Sequence, residues 1–214
     1  MCDPVLGDNG KLYVPKELIS IYRDEIVPLA DVLKPNQFEA EILTNTKIVD
    51  MSTAIEAIDK FHSMGIKTVV LSSIDIESST GNGRELLSLV SSIIPFSNDL
   101  EKNGNDQQNI IKSSTKTRQL YSIVINRKEG TFIGTGDIFA ALFLAWFSKT
   151  NFNAKETLER VIGTIQAIIG RTFTFANFLP GGVQKTANIE LRIVQSLNDI
   201  LFPPVNIYAS PVKI

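Results

Sequence analysis

Ser52-Thr53-Ala54-Ile55-Glu56-Ala57-Ile58-Asp59-Lys60-Phe61-His62-Ser63-Met64-Gly65-Ile66-Lys67-Thr68-Val69-Val70-Leu71 decides the fold class. Ile55, Ile58, Phe61 and Met64 recur at helical spacing, so this run predicts an amphipathic helix, capped by Ser52 and closed by Gly65. The next residues, Lys67 to Leu71, are unbroken and β-branched. That pattern suits a strand covered on both faces and paired in a parallel sheet. Upstream, Ala30-Asp31-Val32-Leu33 predicts a short strand stopped by Lys34-Pro35, and Asn36 with Glu39 forms a capping box for a helix over 37–43. Downstream, 86–94 and 119–126 read as strands, and 137–149, 154–176 and 187–200 as helices, the last ended by Phe202-Pro203-Pro204. A helical period also covers 16–26, and the tail 205–214 has room for a short strand. Strands alternating with helices predict an α/β chain with a mostly parallel sheet. Ligands in such sheets bind at the carboxyl ends of strands. Asp3 and Asp8 follow the first strand end, Asn36 and Glu39 the second, and Ser72 and Ser73 the third.

Composition narrows the function classes. The 214 residues are 43% hydrophobic and 21% charged, enough for a substantial core. Net charge is −2, from 21 basic and 23 acidic residues, so no basic face for nucleic acid is expected. No apolar run reaches the ~18–20 residues that span a bilayer, so no membrane partner is expected. The start, Met1-Cys2-Asp3-Pro4-Val5-Leu6-Gly7-Asp8, lacks a basic segment and carries two acids, unlike a signal peptide. Cys2 is the sole cysteine, which suits a reducing, cytoplasmic setting. The stretch 97–117 is rich in Asn, Asp, Gln, Lys and Ser and reads as a polar surface insertion.

Gly134-Thr135-Gly136-Asp137 opens the apolar helical run Ile138-Phe139-Ala140-Ala141-Leu142-Phe143. Two glycines allow a tight turn and close ligand approach. A helix N-terminus aims free N–H groups and its dipole at that turn, which suits phosphate. A carboxylate there either caps the helix or takes a proton from an attacking hydroxyl. Acids at strand ends suit magnesium, which needs only one or two carboxylates; Asp8 and Glu39 are the candidates. Neither the Gly-x4-Gly-Lys-Ser/Thr loop nor the His-Arg-Asp and Asp-Phe-Gly set occurs. A dinucleotide fingerprint lacks its third glycine. His62 and Trp146 read as packing residues, whereas Phe173, Phe175 and Phe178 suit either core or an open surface.

Asp3-Pro4-Val5-Leu6-Gly7-Asp8, Val27-Pro28-Leu29-Ala30-Asp31, Pro35-Asn36-Gln37-Phe38-Glu39-Ala40-Glu41, His62-Ser63-Met64-Gly65, the Gly134–Asp137 turn and Glu190-Leu191-Arg192-Ile193-Val194-Gln195-Ser196 resemble, in order and spacing, the ribokinase-like kinases and within them the pyridoxal kinases. The resemblance implies a three-layer αβα fold in one domain over 1–214, and ATP-dependent phosphorylation of a vitamin B6 vitamer. It implies Asp137 as the base and Gly134, Thr135 and Gly136 as the anion hole. Asp8 and Glu39 would serve Mg2+, Asn36 the nucleotide phosphates, and Asp3 a monovalent cation (K+ or Na+). Ser72 and Ser73 would contact ATP, Lys128, Glu129 and Gly130 would border the adenine, and Tyr13 would lie near the vitamer. A homodimer is implied as well. The family begins well upstream, so an N-terminally incomplete kinase is expected here, with a nucleotide-binding but non-catalytic chain or a dimerisation partner as the alternative. A hydroxymethylpyrimidine-type kinase is the close enzymatic alternative. The turn over 9–13 is shorter than the family's. Lys34 stands where the family has Thr, and its ammonium either replaces the monovalent cation or points to solvent.

Overall fold

The computed structural model describes residues 1–77, 83–94 and 117–213. A small hairpin pairs β1 (Gly7–Asp8) with β2 (Lys11–Leu12). Helix α1 (Leu18–Ile21) runs on through a π turn, Tyr22–Ile26, and a 3-10 turn, Val27–Leu29. Then come β3 (Val32–Leu33), α2 (Gln37–Thr44), α3 (Met51–Ser63), β4 (Thr68–Glu77), β5 (Arg84–Ile94) and β6 (Thr117–Val124). Helices α4 (Thr135–Lys149) and α5 (Ala154–Asn177) precede the short α6 (Leu197–Leu201) and β7 (Ser210–Pro211). The polar segment 97–117 lies outside the described residues, apart from Thr117 at the start of β6.

One sheet orders its strands β3-β4-β5-β6-β7. The α/β class stands, but the strand directions correct the expected mostly parallel sheet. Cys2, β3 and β4 run parallel, whereas β4 to β7 pair antiparallel. The long β4–β5 and β5–β6 pairs are antiparallel, a pairing that does not require a crossover helix. Side chains alternate across the sheet, and each face carries its own core. Leu33, Val69, Leu71 and Leu89 pack with Ala40, Leu43, Ile58 and Phe61 of α2 and α3. Val32, Val70, Val90 and Ile123 pack with Phe139, Phe143, Leu158 and Ile162 of α4 and α5. Three layers result.

Local differences from the sequence reading have identifiable causes. Asp50, not Ser52, caps α3: its carboxylate accepts from Thr53 N, and the Thr53 hydroxyl accepts from Asp50 N. Ser72 and Ser73 lie inside β4 rather than after it, because the ladder to β5 slips between Leu71 and Ile74. That bulge inverts the parity of the strand: Val69 and Leu71 face the α2/α3 side before it, Ile74 and Ile76 after it. The helix expected over 187–200 is broken into 3-10 turns and α6. Bonds to α5 outcompete the local ladder: Arg192 N donates to Thr172 Oγ1, and Arg171 Nη1 donates to Ser196 and Asp199. Trp146 is half-buried, not core, and its ring lies under the Lys149 ammonium and the Arg160 guanidinium. Phe173 and Phe175 likewise sit under Lys128 and Arg192, while Phe178 is exposed.

His62 does pack. Its Nδ1 donates to Ile66 O at 2.7 Å, since a carbonyl can only accept, and Nε2 pairs with Ser91 Oγ at 2.8 Å. Burial holds its pKa below the usual value, with the Arg118 charge adding to this against the Ile66 bond. A depressed histidine pKa makes the unfolded chain the better proton acceptor. The His62 contribution is complete above the ordinary histidine pKa and is lost as pH falls toward the depressed folded one. Urea titrations between pH 7 and 5 are expected to show wild type losing more stability than His62→Gln over that window.

Candidate active site

The chain's first residues build one wall. Cys2 N donates to Val32 O and Lys34 N to Cys2 O, a parallel bridge that sets Asp3 beside Lys34. Val5 then takes φ +43°, an outlying conformation for a β-branched residue. The next amide is clamped: Leu6 N donates to Glu39 Oε1 at 2.9 Å, while Asn36 N donates to Glu39 Oε2 at 2.9 Å. Asn36 Oδ1 caps α2 through Glu39 N, and its Nδ2 donates to Gly7 O at 2.8 Å. Gly7 is a steric requirement, because a Cβ there would meet Lys11 O at 2.2 Å. The capping box thus fastens the β1 turn to α2 and presents Asp8 at the rim.

The opposite wall is the start of α4. Gly134 has φ +88°, which glycine adopts without penalty, and Thr135, Gly136 and Asp137 form the first turn. No side chain caps this terminus, so its N–H groups remain open to a ligand. Asp137 is exposed on the cleft, not turned into core.

The two walls enclose a cleft of about 560 Å³. Asp3, Asp8, Tyr13, Asn36, Glu39, Ser72, Ser73, Lys128, Gly130 and the whole Gly134–Asp137 turn line it. Of the residues singled out from sequence, Glu129 alone stays off the lining: its carboxylate accepts from Gln184 Nε2. Lys34 does not point to solvent. It is 3% exposed, and its Nζ lies 3.1 Å from Asp3 Oδ2. The lining also holds residues the sequence reading missed, among them Arg127, Phe132, Ile162, Ile165, Gln166 and Ile169. The last four follow an i, i+3, i+4, i+7 stripe on α5, and periodicity alone cannot tell a core stripe from a cleft wall.

Burial pushes the Asp3 carboxyl upward, opposed by the Lys34 charge and hydrogen bond and reinforced by the Asp137 charge. Burial likewise pushes Glu39 upward against the two backbone N–H bonds and Lys34. Burial and the Asp3 charge hold the Cys2 thiol high, so it is no nucleophile. Both Glu39 oxygens already accept backbone N–H groups, which makes it a fastener before it is a metal ligand. Among the described residues no group of three His, Cys, Asp or Glu side chains is placed to hold a metal ion by itself. The oxygen-only acids of the cleft nevertheless suit a hard divalent cation that brings its own phosphate and water ligands.

An α/β sheet with an open helix N-terminus facing carboxylates across a cleft can cradle phosphate oxygens and remove a proton beside them. Residues 1–177 match the family model described as phosphomethylpyrimidine kinase, and the chain belongs to that family. It is 37% identical to pyridoxal kinase of Bos taurus over 98% of its own length and 64% of that protein. It is 36% identical to pyridoxal kinase of Arabidopsis thaliana over 98% and 60%. The chain therefore spans under two thirds of the length of these curated relatives. Among solved structures, pyridoxal kinase from Leishmania donovani in complex with ADP and pyridoxamine superposes with TM-score 0.77 at 29% identity, over 99% of this chain and 61% of that one. Pyridoxal kinase from Trypanosoma brucei gives TM-score 0.67 at 30% identity over 93% and 57%. Among the described residues no helix is long and apolar enough to cross a membrane.

Proposed function

We propose that the chain, as one domain, carries the nucleotide half of an ATP-dependent kinase that phosphorylates the 5′-hydroxymethyl of pyridoxal, pyridoxine or pyridoxamine. One observation carries this reading: Asp137, in the first turn of an uncapped helix, shares a cleft with Asp8, Asn36 and Glu39. The Leishmania complexes with ADP and pyridoxamine or pyridoxine support the two ligand classes.

In this mechanism Asp137 takes the proton of the vitamer hydroxyl, whose oxygen attacks the γ-phosphorus of ATP. The bond to the β–γ bridging oxygen breaks, and ADP leaves. The N–H groups of the Gly134–Asp137 turn receive the charge on the transferred phosphoryl oxygens, a preorganised role that needs no rearrangement. Asp8, whose two oxygens accept from Asn9 N and Asn9 Nδ2 at the exposed rim and keep lone pairs toward the cleft, would hold Mg2+ with Glu39 adding its charge, and the ion would supply neutralisation of the phosphate oxygens. Ser72 and Ser73, presented by the β4 bulge, and Asn36 meet the nucleotide; Lys128 and Gly130 border its base; Tyr13 stands at the vitamer side. A cytoplasmic homodimer is the setting that the lone thiol and the resemblance support.

Phosphate transfer from Mg-ATP tests the reading, with pyridoxal and hydroxymethylpyrimidine as competing acceptors. The second acceptor is included because the family model bears the pyrimidine kinase description. Product from pyridoxal, suppressed weakly by the pyrimidine, is expected. Transfer to the pyrimidine alone replaces the substrate, and ATP-stabilised unfolding without transfer to either replaces the activity by nucleotide binding.

A further inference from the structure

The resemblance implies a potassium or sodium ion at Asp3, and the residues present do not fit one. Lys34 Nζ already lies 3.1 Å from Asp3 Oδ2, with its side chain almost wholly buried. Nor is this a loose surface pair. The Cys2–Leu33 bridge fixes Asp3 and Lys34 in adjacent register, and Lys34 N is itself held by Cys2 O. The ammonium reaches the reacting side of the cleft: a Cβ on Gly136 would stand 3.9 Å from it, and the Phe139 ring centroid is 5.9 Å away. The carboxylates of Asp3 and Glu39 supply negative charge around it, and the Asp137 charge acts on Asp3. A second cation at Asp3 would either face this ammonium at contact distance or displace it, leaving a buried charge without its partner.

We propose, resting on the kinase reading, that Lys34 Nζ is the resident monovalent cation of the cleft, so that nucleotide binding needs neither potassium nor sodium. The lysine completes a positive pole with the α4 N-terminus, at the place where phosphate oxygens arrive. Tethered to the backbone, it is present at every ionic composition, which an exchangeable ion is not.

The test is ADP titration calorimetry and thermal unfolding in KCl, NaCl and tetramethylammonium chloride at equal ionic strength, so that general screening is constant. Wild type is expected to bind ADP with Kd equal across the three salts within about twofold, and to melt at one temperature. Lys34→Ala is expected to lose about tenfold or more in affinity in tetramethylammonium, with part recovered in KCl. A wild-type affinity or melting temperature that rises specifically with potassium overturns the proposal, as does a folded Lys34→Ala that binds ADP like wild type in all salts. If Lys34→Ala does not fold, the wild-type comparison decides. If wild type binds no ADP in any salt, the kinase reading fails, and the melting comparison alone still supports or overturns the resident cation.

Discussion

On the proposed kinase reading, Asp137→Asn is expected to lower the turnover of pyridoxal phosphorylation by ~10²–10⁴, the usual worth of a positioned general base. The substitution keeps the size and the helical position of the side chain but removes its ability to accept the hydroxyl proton. Nucleotide affinity is expected to hold or to tighten slightly. The carboxylate stands in the first turn of α4, beside the N–H groups that would receive phosphate, and a negative charge there repels the ligand. A falling kcat with an unchanged or lower Kd for ADP is therefore the signature of a base. A plain first-turn acid behaves differently: its removal costs ~0.3–1 kcal/mol of helix-dipole stabilisation and leaves turnover alone. Unfolding and turnover measured on the same variant separate the two. Turnover within tenfold of wild type removes Asp137 from the chemistry.

The parts of this site legible in the sequence are those made by neighbours along the chain. Asn36 and Glu39 announce their capping box because its bonds join residues three apart. The Gly134–Asp137 turn announces itself because glycines and a following apolar run are local signals. What stayed hidden depends on pairing partners distant in sequence. Ser72 and Ser73 look like a strand end until β5 pairs with β4 and shifts its register there. Lys34 reads equally as a stand-in for a cation or as a solvated lysine before a proline, until Cys2 bridges β3 and brings Asp3 to its ammonium. Glu39 reads as a metal ligand, and its second bond, to the amide of Leu6 after a left-handed Val5, is visible only in three dimensions. The 187–200 segment has helical spacing, yet Thr172 and Arg171 on α5 claim its backbone and side chains. Local preferences of a few tenths of a kcal/mol per residue yield to such tertiary bonds, worth about 1 kcal/mol each.

These hidden contacts share a direction. The acids and the lysine are pinned from β3, α2 and the first residues, whereas the phosphate-side N–H groups are pinned from α4. The geometry of the proposed site is then a matter of how firmly α4 is seated on the sheet. An aromatic ladder does the seating, since Phe139, Phe143 and Phe147 pack against Val32, Val70, Val90 and Ile123 of the sheet; along the helix Phe139 and Phe143 stack at 6.2 Å and 11°, Phe143 and Phe147 meet at 5.2 Å, and Phe152 closes edge-on against Phe147 at 5.3 Å. Its first rung, Phe139, lines the cleft.

Phe143→Ala is accordingly expected to destabilise the chain by ~3–5 kcal/mol in urea unfolding. Phe143 is 0% exposed, at the middle of the ladder, so truncation removes both ring contacts and leaves a cavity that neighbours on α5 and the sheet fill only in part. Phe143→Leu, which retains most of the volume, is expected to cost less than half as much. A double-mutant cycle on Phe139→Leu and Phe143→Leu should return ~0.5–1.5 kcal/mol of coupling, because stacked rings interact beyond their buried area. Phe143→Leu alone, read in ADP affinity, reaches the site: loosening α4 moves the N–H groups of the Gly134–Asp137 turn, whereas a change at Phe139 also removes the ring beside the Lys34 ammonium. A loss in stability below ~1 kcal/mol for Phe143→Ala would mean that α4 does not depend on this core face, and the rigid cradle assigned to its N-terminus would lose its support.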